Sequence, residues 1–266
     1  MDKQRWVRPV QVRKKSSIPP EKTRQIKRRL VAMLLFIVVL WTVLSFIGSD
    51  FFSIATIAIY GNTYTTESEI RLALTVAEGD NIWRLNKAQQ ADKLKTIPRI
   101  ESARVTRELP NRLKVEIKEK RAVALVPYNG YLLVMGSDGM VLATTRNPQN
   151  YHIPMLTGLA PLELSVGEIL LSGPALQEVV QTLETMSAAG VTVSELNFAE
   201  ADKLVLITMD GLTVWLGQGG HSEKAALLVQ IMGQLQGRQA EGYLDLRVPE
   251  APAFKPLAEE KTQKNN

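Results

Sequence analysis

The sequence contains no cysteine and only two histidines, His152 and His221, among 266 residues. The first absence removes a disulfide framework, a thiol nucleophile and every Cys-ligated zinc or iron–sulfur site. The second leaves too few imidazoles for a three-histidine metal centre in one chain. Phosphate-binding patterns are equally thin. Gly217-Gln218-Gly219-Gly220 precedes a helical pattern, but no Gly-Lys-[Ser/Thr] follows and no acidic ribose partner stands at the usual distance, so the stretch reads as a strand-to-helix turn. His221, Ser222 and Glu223 have the residue types of a nucleophile and its base, yet adjacent helical positions point in different directions; a spatial triad with Asp210 or Asp245 stays open. The carboxylate pairs Glu67/Glu69, Glu200/Asp202 and Glu259/Glu260 fall in a helix start, a polar turn and a tail, where water is all they need. No catalytic, metal or cofactor-binding residue is assigned.

Charge is present but unevenly spread. Residues 1–29 hold eleven basic and two acidic side chains, a surplus of nine, whereas the whole chain carries +5, so the other 237 residues carry a net −4. A short basic arm is joined to a mildly acidic body, and the overall basic balance is no argument for nucleic acid as a partner. The whole chain is 45% hydrophobic, too apolar for a wholly disordered protein.

Only one long uncharged run exists, LVAMLLFIVVLWTVLSFIGS at 30–49. Twenty helical residues at about 1.5 Å each span the roughly 30 Å hydrocarbon layer. Arg28 and Arg29 abut its N-terminal end, and the next basic residue is Arg71, behind Asp50, Glu67 and Glu69. The positive-inside rule therefore places the arm in the cytoplasm and everything after residue 50 outside. A cleaved signal peptide would need a shorter apolar run, a shorter basic region and a better site than Ser53-Ile54-Ala55. A buried core helix would show a polar face. Ile18-Pro19-Pro20 and the charge density predict an arm with no fold of its own.

Two α+β units are predicted beyond the span. In the first, the β-rich run 54–60 ends at Gly61-Asn62, Thr66 and Glu69 form a capping box ahead of Ile70, Ala73 and Leu74, and Asn86 caps a second helix with Ala88, Ala91 and Leu94. Strands at 101–107 and 112–118 then flank a turn at Leu109-Pro110-Asn111, giving the order β-α-α-β-β.

That order, placed directly after a single anchor, resembles a POTRA domain. The stretch VTRELPNRLKVEIKEKR (105–121) further resembles the V-x-R-x-x-P-x-x-L-x-I-x-I-x-E tract of the FtsQ/DivIB cell-division family, with Ala122 where many members have proline shortly after the glutamate. The second unit carries a hairpin around 136–139, the P-x-L-x-G element Pro154–Gly158, and a helix from Ser172 with Leu176, Val179, Val180, Leu183 and Met186 on one face. A second hairpin turns at Asp210-Gly211, a helix runs over 222–236, and a final strand covers 243–247 before Pro249, Pro252 and Pro256. The D-G hairpin, L-G loop, helix and Y-x-D-L-R ending are similar to the C-terminal β-domain of the same family.

The reading is thus an α+β chain: a basic, disordered cytoplasmic arm at 1–29, a transmembrane helix at 30–49, a POTRA domain at 50–119, a strand-rich β-domain with two helices at 120–250, and a disordered tail at 251–266. With no marked chemistry, binding through a sheet edge is the function left, because an edge strand offers unpaired backbone groups. The final strand is the candidate edge; an ordinary interior strand is the competing reading. The resemblance implies that this edge binds the coiled-coil division protein FtsB/DivIC, paired with FtsL, at the division septum, regulating septal peptidoglycan synthesis without turnover. On that resemblance Tyr243 is a packing contact, Asp245 and Leu246 belong to the shared strand, and Arg247 is the charge partner. A POTRA-bearing polypeptide-transport factor and a membrane-anchored hydrolase are the alternatives.

Overall fold

The computed structural model describes residues 20–159, 163–198, 204–235 and 241–257. Helix α1 (Pro20–Ile47) begins ten residues before the uncharged run, so Arg24, Lys27, Arg28 and Arg29 are helical. This corrects the arm at its C-terminal end. Once the apolar segment has nucleated a helix, adding Lys, Arg, Gln and Glu costs little, and Pro20 sits in the first turn, where its missing N–H is tolerated. Residues 1–19 of the arm lie outside the described residues. Arg24–Ile47 is long and apolar enough to cross a membrane, and no part of its apolar window is buried against the rest of the molecule.

The chain leaves α1 through Gly48 and Ser49 into a short 3-10 turn, Asp50–Phe52. Asn81 reaches back and donates its Nδ2 to the Ile47 carbonyl at 2.8 Å, satisfying an acceptor at the open end of α1.

The first unit comprises β1 (Thr56–Tyr60), α2 (Glu67–Ala73), α3 (Lys87–Leu94), β2 (Ile100–Glu108) and β3 (Arg112–Glu119). Its sheet runs β1-β3-β2, with β1 parallel and β2 antiparallel to β3. Thr66 and Glu69 make both bonds of the capping box, and Asn86 accepts from the Gln89 N–H. Alternation places Leu113, Val115 and Ile117 in the core beside Ile54, Ile70, Ile82 and Leu94. Ala88 is exposed instead of packed; the buried polar residue of α3 is Gln90, which accepts from the Thr75 N–H at 2.9 Å and donates to Thr75 Oγ1 at 2.8 Å.

The second unit contains β4 (Ala122–Tyr128), β5 (Tyr131–Gly136), β6 (Val141–Thr145), β7 (Met155–Thr157), α4 (Gly173–Ala188), β8 (Val193–Asn197), β9 (Leu204–Thr208), β10 (Leu212–Gly217), α5 (His221–Leu235), β11 (Gly242–Asp245) and β12 (Ala253–Pro256). All nine strands form one sheet, ordered β12-β11-β10-β9-β8-β7-β4-β5-β6. The parallel pairs β7–β8 and β10–β11 each need a crossover, and α4 and α5 supply them. Both helices bury their apolar faces against the sheet through Val179, Met186, Ala225 and Leu228. Helix α4 ends in a Schellman motif: Gly190, at φ +74°, lets the Val191 and Gly190 N–H groups reach the carbonyls of Met186 and Ser187.

Strand β12 contradicts the predicted disordered tail at 251–266 over its first residues. Pro252 precedes the strand and Pro256 ends it, positions where a missing N–H costs no ladder bond, so the prolines delimit an edge strand and do not abolish it. Residues 258–266 lie outside the described residues.

The two units meet at a joint. Arg99, buried at 5% exposure, lies 5.0 Å from the Tyr64 ring and 5.8 Å from the Tyr151 ring, and donates to Tyr151 Oη at 3.0 Å. Tyr64 and Tyr151 stack at 5.0 Å, and Glu119 accepts from the N–H groups of Thr63, Tyr64 and Thr65.

Candidate functional site

A nine-stranded sheet has two edges, and they differ. The first half of β6 is covered: Val141 exchanges hydrogen bonds with Glu168 and Gly167 at 2.8 Å, and Leu170 donates to the Gly139 carbonyl at 2.8 Å. At the other end β11 is not the edge. It pairs on one side with β10 in parallel and on the other with β12 in antiparallel, matching Tyr243 with Lys255 and Leu244 with Phe254. Tyr243–Asp245 therefore lie in an interior strand, with Leu246 and Arg247 just beyond it, and the edge passes to β12, whose outer side meets no strand among the described residues.

Hydrogen-bond alternation identifies the groups β12 offers. Leu257 donates to the Glu241 carbonyl at 3.2 Å, so its alternate neighbours Lys255 and Ala253 turn their backbone groups toward β11. The N–H and carbonyl of Phe254 and the carbonyl of Pro256 then point outward. Proline at 256 removes an N–H that would have faced outward, so the strand exposes one donor over its length.

The strand β11 contributes from the second row. Leu244 and, just past the end of β11, Leu246 are buried in the core, Leu246 at 0% exposure, so neither offers its side chain to a partner. Tyr243 faces the opposite side and is 41% exposed, its ring 5.9 Å from Trp215 of β10. Arg247 donates its Nε to both Asp245 carboxylate oxygens at 2.9 and 3.0 Å, and its guanidinium lies 5.3 Å from the Trp215 ring. The Arg247 guanidinium, hydrogen bonded to Asp245, holds that carboxyl below the usual carboxylate range. The arginine predicted as a charge partner for another chain is thus engaged within this one. Its stem packs over Gly217, where an added Cβ would lie 2.9 Å from Arg247 Cγ.

Between β10, β11 and β12 these side chains outline a shallow depression of about 390 Å³, lined by Trp215, Tyr243, Asp245, Ala253, Phe254 and Lys255. Sequence reasoning named two of the six. Trp215 was accessible to it, because alternation along β10 sends Trp215 opposite to the core residues Val214 and Leu216; Phe254 and Lys255 were hidden behind the prolines.

His221 is buried, with Nε2 2.9 Å from the Gly217 carbonyl and Nδ1 against the Glu178 carboxylate of α4. Asp245 is bound by Arg247, and neighbouring Lys224 donates to the carbonyls of Leu216 and Gln218 at 2.7 and 2.8 Å, so this cluster ties the start of α5 to the end of β10. His152 is exposed. Among the described residues no group of three or more His, Asp or Glu is gathered as metal ligands would be.

One apolar helix, a POTRA-type unit and a strand-rich α+β unit define a class of chain, and comparison with known families gives the particular one. Residues 52–120 match the family described as "POTRA domain, FtsQ-type", and residues 124–247 match "Cell division protein FtsQ/DivIB, C-terminal". The chain is 25% identical over 244 residues to cell division protein DivIB of Clostridium botulinum (strain Hall), covering 88% of this chain and 93% of the relative. It is 26% identical over 205 residues to cell division protein FtsQ of Geotalea daltonii, covering 75% and 74%, and 29% identical over 199 residues to FtsQ of Anaeromyxobacter sp. (strain K), covering 73% and 67%. The chain belongs to the FtsQ/DivIB family of cell-division proteins.

Proposed function

We propose that this protein is a non-catalytic scaffold of the division machinery. Helix α1 crosses the cell membrane with its N-terminus in the cytoplasm, held there by Arg28 and Arg29, and the two folded units stand outside at the septum. The β12 edge takes up a strand of FtsB/DivIC, itself paired with FtsL, and through that assembly helps to regulate septal peptidoglycan synthesis.

The observation that carries this reading is the asymmetry of the large sheet: one edge is covered by a loop at the start of β6, and the other ends in a short strand with outward backbone groups beside an aromatic depression. Main-chain bonds at such an edge supply affinity, while a neighbouring pocket for alternate side chains supplies selectivity. Tyr243 and Asp245 line the depression, Arg247 holds Asp245 in place, and Phe254 makes the backbone pair.

The test is capture of the purified FtsB/DivIC–FtsL pair by the full chain in detergent. Phe254→Pro removes the outward N–H but no bond to β11; because it also removes a ring packed against the core, it is read against Phe254→Ala, and relative to that variant it should keep the circular dichroism and weaken capture about tenfold, the order expected for one well-placed hydrogen bond and its geometry. Phe254→Tyr should capture as the natural chain does. Unchanged capture by a folded Phe254→Pro variant would overturn strand addition at this edge.

A further inference from the structure

Where α1 leaves the apolar run, four aromatic rings touch in sequence. Phe46 lies 5.4 Å from Phe51 and 5.3 Å from Phe52; Phe51 and Phe52 are 5.1 Å apart; and Phe52 meets Trp83 at 5.9 Å. Phe46, from the last turn of α1, is 54% exposed, Phe51 56% and Trp83 41%, so these three rings form a surface, while Phe52 is half-buried and roots them on the core of the first unit. Trp83 belongs to the first folded unit, yet it is locked to the helix exit. Ile82 donates to the Phe52 carbonyl at 2.9 Å, Ile54 to the Asp80 carbonyl at 2.8 Å, and Asn81, two residues before Trp83, caps Ile47. From the other side Arg107 donates to the carbonyls of Trp83 and Leu85 and sets its guanidinium 5.6 Å from the Trp83 ring.

The length of the span says what covers this surface. The uncharged helical stretch, residues 30–47, rises about 27 Å, slightly less than the roughly 30 Å hydrocarbon layer. The helix therefore ends within the apolar boundary, and the residues immediately after it lie at headgroup depth. Aromatic rings are favoured there because an apolar body and a polar rim suit the gradient, and the neighbouring cations Arg84 and Arg107 suit phosphate oxygens. We infer that Phe46, Phe51, Phe52 and Trp83 form a collar seated in the outer headgroup boundary of the bilayer, so that the POTRA-type unit rests on the lipid as well as being tethered through it. The inference rests on α1 being a membrane span.

The full chain is reconstituted in vesicles of phosphatidylethanolamine and phosphatidylglycerol containing lipids brominated near the headgroup or near the chain end. Of the four tryptophans, Trp6, Trp41, Trp83 and Trp215, three are replaced by Phe in each variant, leaving one reporter. The Trp83 reporter should be quenched at least about twofold more by shallow than by deep bromines, as expected for an interfacial ring. The Trp41 reporter should respond most to deep bromines and the Trp215 reporter to neither. If Trp41 responds and Trp83 does not, the collar is overturned while the span stands; if Trp41 also fails to respond, the span reading itself falls. Trp83 shielded from aqueous iodide yet indifferent to bromolipids would assign the collar to a protein contact and likewise overturn lipid docking.

Discussion

At the scale of single residues, Glu119 organises more than its position at the end of a strand foretells. Burial alone would push its carboxyl up, but the N–H groups of Thr65, Thr63 and Tyr64 outweigh burial and hold it below its ordinary value. A lowered folded-state value means stability that is present above the unfolded value and fades as the pH falls through the folded one. Glu119→Gln should therefore cost about 1 kcal/mol near neutral pH, the hydrogen-bond contribution discounted for partial exposure, and the difference from the natural chain should begin to shrink as the pH falls to the ordinary glutamate value of about 4.3 and disappear below the lowered folded-state value. Denaturant titrations at several pH values check this; a gap that persists in acid would assign the effect to packing. The same carboxylate orders the segment that presents Tyr64 to Arg99, so the charge acts on the joint as well as on its own strand.

At the scale of elements, β12 is held by a close approach that only glycine allows. A Cβ at Gly242 would lie 2.6 Å from the Lys255 carbonyl oxygen and 3.0 Å from Pro256 Cα, both backbone atoms that cannot swing aside. Gly242→Ala should cost about 1–3 kcal/mol locally and push β12 off β11. Hydrogen exchange should rise at 253–257 and stay unchanged in β4–β6; uniform protection would refute the assignment. How elements were or were not legible follows the same physics. Capping boxes and Asx caps before α2 and α3, the alternation of β3 and the Asp210-Gly211 hairpin were all visible, because each is a local code. Strand β4 was not, since Val123 to Val126 are buried in succession and show no alternation. Strands β7 and β8 are short, and β7 joins the sheet through parallel pairings to β4, reached by way of β5 and β6, and to β8, reached by way of α4, which local patterning does not encode. The candidate site is the least legible: Tyr243 and Asp245 lie one strand inside the edge and Arg247 just beyond that strand, because three prolines read as an end to the sheet when two of them bracket its last strand.

At the scale of the whole molecule, the Tyr64–Arg99–Tyr151 stack joins the two folded units. Aromatic and cation–π contacts of this kind contribute about 0.5–2 kcal/mol each, enough to bias an orientation without being needed for either fold. Tyr151→Ala should leave the unfolding of each unit nearly unchanged while widening the small-angle scattering profile and opening the connection near residue 120 to protease; an unaltered profile would show that other contacts set the angle. At the opposite end of the POTRA-type unit only Gly48 and Ser49 separate α1 from the 3-10 turn, and Asn81 grips the last carbonyl of the helix. Such a connection transmits torque. On the proposed span, a neighbouring membrane helix packed against one flank of α1 would fix its azimuth, and with it the compass heading of the folded unit that Asn81 clasps to the helix end.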